Sequence, residues 1–190
     1  NVVMGVDFRK GDKQHFVAIA QDNKGFERIN TLLSQVLAGQ QSMPLEAPEW
    51  QGVIVVYPLD NVPGRSLASN EYVGIRPDEL LSFQLKSPYP KQQCVALNTV
   101  SFRNKRDYNA HRLLRAIDKN TLLSKLSLEQ QGKLAHRFYP PDRLNQMYRG
   151  GEFLLDNTHR LLLQCSLHFY FNDPAHTQNK QTFTQSATLD

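Results

Sequence analysis

Cysteine is scarce in this chain: among 190 residues there are two, Cys94 and Cys165, and no Cys-x-x-Cys pair. That removes a disulfide scaffold and the common structural zinc modules, and leaves two thiols reading as reduced core residues. Long apolar runs are also missing. No stretch approaches the roughly 18 residues that span a bilayer, and the start lacks the charged, apolar and small-residue order of a secretory leader. The expectation is a soluble, cytoplasmic chain with no membrane partner. No Ser-His-Asp order, glycine-rich phosphate loop, zinc-finger spacing or fixed-period repeat occurs either, which sets aside several common hydrolase and nucleotide-binding classes.

What is present is an ordinary apolar fraction, 40%, and a net charge of +4 that is unevenly spread. Residues 91–160 hold thirteen Lys and Arg against six Asp and Glu, while the rest of the chain is net acidic. Such asymmetry suits a surface that faces nucleic acid or an acidic partner, and suits an ordinary solvated surface equally.

Strand-like segments alternate with helical ones. Val2–Phe8, His15–Ala20 and Gly52–Tyr57 are short apolar runs, with Glu71–Ile75 and Gln93–Leu97 following. Asp22 and Asn23 offer a cap for a helix carrying Phe26, Ile29, Leu32, Leu33, Val36 and Leu37 on its inner face, stopped by Gly39. A short helix is expected over 78–85. A longer one over 107–117 should bury Ala110, Leu113, Leu114 and Ile117. Two more are expected, from Pro140–Pro141 through Tyr148 and over 152–165, the last with Leu154, Thr158, Leu161 and Cys165 on one stripe. His168–Phe171 reads as a further strand, and 172–190, rich in Gln, Thr, Asn and Ser, as a polar tail or linker. The alternation predicts α/β wrapping, a barrel or part of one.

Four segments in order resemble the polymerase-and-histidinol-phosphatase (PHP) domain of bacterial DNA polymerase III alpha subunits. They are Met4–Asp7, His15–Phe26, Asn98 to Ser101 with the Asp107 and His111 helix, and Met147–Thr158 with Cys165. The resemblance covers roughly residues 3–171, and the chain opens at what corresponds to the family's third strand. It implies a distorted (β/α)7 barrel, incomplete at the N-terminus, with a C-terminal helical extension. It also implies a cluster of divalent metals at the barrel mouth, zinc or manganese, in active members.

Within the matching segments the implied ligands can be checked singly. Asp7 stands at a Glu position and His15 at a His position, Leu59 at a Cys or His position, and Thr99 and Ser101 at an Asp and a His. Neutral hydroxyls are poor ligands beside carboxylate and imidazole. Asp7 and His15 are therefore expected to be vestigial ligands, or a paired surface acid and a hydrogen-bonded histidine. Asp107 and His111, at i and i+4, could orient a ligand or simply make a structural contact. Arg103, Lys105 and Arg106, near the expected mouth, are candidate nucleic-acid contacts. The resemblance further implies partners: the other domains of a polymerase alpha subunit, a proofreading exonuclease subunit, and DNA. The expected role is a catalytically inactive scaffold without a cofactor; the alternative is a working metal-dependent phosphoesterase or 3′–5′ exonuclease.

Overall fold

The computed structural model describes residues 3–11, 13–86 and 88–169, apart from the side chains of 128 and 129. Five strands form one mixed sheet in sequence order: β1 (Gly5–Lys10), β2 (Lys13–Ala20), β3 (Val53–Pro58), β4 (Glu71–Ile75) and β5 (Cys94–Ala96). β1 and β2 are an antiparallel hairpin, β2 runs antiparallel to β3, and β3, β4 and β5 are parallel. The ends of β1, β3, β4 and β5 and the start of β2 consequently share one edge of the sheet.

The sheet is open, so the expected (β/α)7 barrel is not formed. Closure would require β5 to meet another strand on its outer side, and a helix occupies that place. In α6 (Glu152–Leu163), Asn157 Nδ2 donates to the carbonyls of Lys91 and Cys94, both at 2.8 Å, and the Ala96 amide donates to Thr158 Oγ1 at 2.9 Å. Side chains thus satisfy the β5 backbone groups that a neighbouring strand would have paired.

Alternation along the strands divides the apolar residues between two faces. Phe8, Phe16, Ala18, Val53, Val55 and Tyr57 pack with Ile29 and Leu32 of α1 (Asn23–Leu37). Asp22 caps α1, accepting from the Gly25 amide at 2.7 Å. Gly25 is required by proximity, because a Cβ there would sit 1.8 Å from the Gly52 carbonyl oxygen. On the same face of the parallel half, Val73, Ile75 and Cys94 pack with Leu80 and Phe83 of α2 (Leu80–Lys86), Tyr148 and Leu154. On the other face Ile54, Val56 and Val95 meet Leu161 and Cys165. Both cysteines are free and buried, and burial pushes the Cys94 thiol up to about 11.

Two sequence expectations differ from the described structure. The helix α3 (Lys105–Asp118) forms, but of its supposed inner face Leu113, Leu114 and Ile117 are 52%, 65% and 66% exposed, and only Ala116 is buried. It lies outside the sheet, against α4 (Leu128–Gln131) and the 123–125 turn, with no apolar layer above its stripe. The second is the strand over 168–171: residues 168 and 169 are irregular, held by a two-way hydrogen bond between His168 and Asn23. Its last two residues, and the tail from 172, lie outside the described residues. α5 (Pro141–Met147) and α6 stand where the sequence places helices. No described helix is long and apolar enough to cross a membrane.

Candidate functional site

The edge shared by the ends of β1, β3, β4 and β5 carries a cleft of about 490 Å³, walled by the hairpin, the segment after β5, α3 and a turn at 132–136. The hairpin supplies Asp7 and Arg9, and its geometry decides which of its polar residues enter. Phe8 pairs with Phe16 while Arg9 pairs with Gln14, so His15 is an extra residue, a β-bulge. The bulge restores Gln14 to the face of Asp7 and leaves His15 beside Phe16 on the opposite face. There His15 is 1% exposed, with Nδ1 2.9 Å from the Pro44 carbonyl oxygen.

A polar chain then crosses the strand ends. Arg9 Nε donates to Asp7 Oδ2 at 2.6 Å, Gln14 Nε2 donates to Asp7 Oδ1 at 2.9 Å, and Arg76 Nη2 donates to Gln14 Oε1 at 2.9 Å. Arg76, just past β4, is tied in turn to Glu79 at 2.8 Å and lies 3.6 Å from Asp60. The buried Gln14 amide connects an acid to a base through its two ends, the arrangement in which each charged partner is satisfied. Asp7 therefore spends both carboxylate oxygens within the chain.

After β5, the Leu97 amide donates to the Ile75 carbonyl, and residues 98–101 run over the strand ends. Thr99 and Ser101 line the cleft, and Asn98 and Thr99 line a smaller pocket of about 140 Å³ beside it. The two pockets share Thr99, Lys133 and His136. The 132–136 turn reaches this place because the Ser101 amide donates to the His136 carbonyl at 2.7 Å and the Phe138 amide to the Phe102 carbonyl at 2.9 Å. Gly132 adopts φ +70°, and a Cβ there would lie 3.3 Å from His111 Nε2. His111 and Arg115, one turn apart on α3, complete the wall.

Burial first, and then the neighbouring charges of Arg9, Lys133 and Arg76, hold the His136 imidazole below its usual range; Asp7 opposes them weakly. The two candidate ligands lie on opposite faces of the hairpin, and Leu59 opens the turn after β3 with no donor atom in its side chain. Thr99 and Ser101 bring only hydroxyls. Such a donor set does not fit a divalent metal.

Asp107 faces Arg103, with Oδ2 and Nε 3.4 Å apart, while His111 lines the cleft with its ring tilted against Phe102, the centroids 6.1 Å apart. Arg103, Lys105 and Arg106 are exposed at the start of α3, where Asn104 caps the helix, and do not line the cleft. Among the described residues, Arg9, Arg115 and Lys133 line the cleft and Arg76 and Lys133 the smaller pocket, so these cations are drawn from four separate segments. The one trace of this in the sequence is the basic excess over 91–160, which contributes two of them.

No protein-family model, curated protein or solved structure matches the chain.

Proposed function

We propose that the chain is a PHP-like domain of a DNA polymerase III alpha subunit-like protein, serving DNA replication or repair as a non-hydrolytic scaffold. In that role it supports the polymerase or docks a proofreading exonuclease subunit. The observation that carries the proposal is the fate of the ligand positions. Asp7 from the hairpin and Thr99 and Ser101 from the segment after β5 line one cleft at the strand ends. Yet the Asp7 carboxylate is held by Arg9 and Gln14, and the hairpin bulge carries His15 to the other face. Metal-assisted hydrolysis needs several anionic or imidazole donors converging on one point, and this cleft gathers cations instead. The open sheet is no obstacle, since docking needs a stable surface rather than a closed barrel.

The test is to purify the protein that contains this chain from its native cells. Template-dependent nucleotide incorporation in the same polypeptide, with neither stoichiometric zinc or manganese nor metal-dependent 3′ trimming by this domain, is expected. Stoichiometric transition metal together with 3′ trimming that disappears on Asp7→Asn would overturn the scaffold reading, and absence of any polymerase activity would overturn the assignment to a polymerase.

A further inference from the structure

We propose that the outer face of α3 is a docking surface for an acidic amphipathic helix of a protein partner. The surface is separate from the strand-end cleft, which α3 walls with its opposite side, and it does not depend on the scaffold role. The helix is turned against its own pattern. Tyr108, His111, Arg112 and Arg115 are half-buried and Ala116 is buried, whereas Ala110, Leu113, Leu114 and Ile117 are exposed. Ring and polar contacts hold the inward side: the Tyr108 and Phe102 centroids lie 5.0 Å apart, the Arg112 guanidinium is 5.8 Å from the Tyr108 centroid, and Arg115 Nε donates to the Gln130 carbonyl at 3.3 Å. Spacings of three, four and seven residues put the four exposed apolar residues on one side. Leu122, 64% exposed, follows just before the 123–125 turn. An exposed apolar stripe of this kind marks an interaction site.

The charges around the stripe select its occupant. Lys105 and Arg106 stand at its start and Lys125 past its end, all exposed and, among the described residues, without an ion pair. The acids of the helix are already matched, Asp107 by Arg103 and Asp118 by Arg115 and Lys119. A second copy would meet its own charge, because a twofold-related helix pair, parallel or antiparallel, sets the end cations of one copy against those of the other. An anionic lipid surface calls for Lys and Arg along the flanks of the stripe, and the flanks here carry Asn109 on one side and Asp107 and Asp118 on the other. A partner helix with leucines at the same spacing and carboxylates near its two ends meets both the stripe and the unmatched cations.

Fluorescence anisotropy with the whole chain tests the surface, using a labelled helical peptide of about 18 residues, long enough to cover the stripe. Its leucines follow the three-and-four spacing, and its remaining positions are glutamate and alanine. Binding is expected, and a version with lysine in place of glutamate should bind at least about tenfold more weakly. Leu114→Glu and Ile117→Glu, both at exposed side chains, should each weaken binding at least about tenfold, whereas Leu37→Glu, exposed on α1, should alter it less than about twofold. Circular dichroism confirms that each variant folds. No binding of the glutamate peptide, equal binding of the lysine version, or an equal loss in Leu37→Glu would overturn the proposal. Attachment to phosphatidylglycerol vesicles in place of the peptide would overturn it in favour of a lipid surface, and dimers in sedimentation that Leu114→Glu dissociates would overturn it in favour of a second copy.

Discussion

Glu71 shows how one residue organises the far end of the sheet. Its carboxylate, on a residue 4% exposed, accepts from Arg65 through both oxygens at 2.7 Å, from the Ala68 amide at 2.7 Å, and from the Tyr57 hydroxyl at 3.1 Å. The Tyr57 oxygen in turn accepts from the Ala47 amide at 3.0 Å, so one acid ties together β3, β4 and two loops. The Arg65 side chain holds the Glu71 carboxyl below its ordinary 4.5, and burial, chiefly, pushes Tyr57 up to about 12. Because the folded-state value is depressed, the stabilisation is present above 4.5 and is lost as pH falls through the folded value. His136, also depressed, binds its proton more readily in the unfolded chain, so stability declines as pH drops below its ordinary 6.5. Urea unfolding followed across acid pH should therefore show two successive losses. His136→Asn should abolish the upper one, and Glu71→Gln the lower one together with part of the stability at neutral pH.

Among the elements, α6 does the work of a missing strand neighbour. Its apolar stripe, Leu154, Leu161 and the following Cys165, is legible from 3.6-residue spacing alone and is buried as expected. That Asn157 and Thr158 would serve the β5 backbone was not legible, since nothing in a helical pattern names the strand beside it. Asn157→Ala would leave two carbonyls in a buried setting without their donor, a loss of about 1–3 kcal/mol. Chemical denaturation should register that loss, and Asn157→Asp should not restore it, because an ionised carboxylate has no N–H to donate. α3 is the opposite case. Its existence follows from the sequence, but its apolar stripe faces solvent, because burial depends on what the chain lays on top of a helix and not on the stripe itself.

Across the whole molecule, stability should track the two-faced sheet and not the peripheral helix. Leu154, fully buried between the parallel strands and α2, should cost about 2–5 kcal/mol when cut to alanine. Leu114→Ala on α3 should change stability by no more than about 0.5 kcal/mol. Equal losses by thermal melting would mean that the α3 stripe is covered.

Sequence alone placed the five strands of the sheet, every described helix but α4, and the buried thiols, because periodicity, caps and breakers act over a few residues and need no distant partner. The cleft was decided in three dimensions. Arg9, Arg76, Arg115 and the turn that carries Lys133 and His136 come from distant parts of the chain, and one bulge at His15 sets which hairpin side chains face them. Closure was decided there too: local patterns permit a barrel or an open sheet equally, and the choice fell to the helix that satisfies the backbone of the last strand.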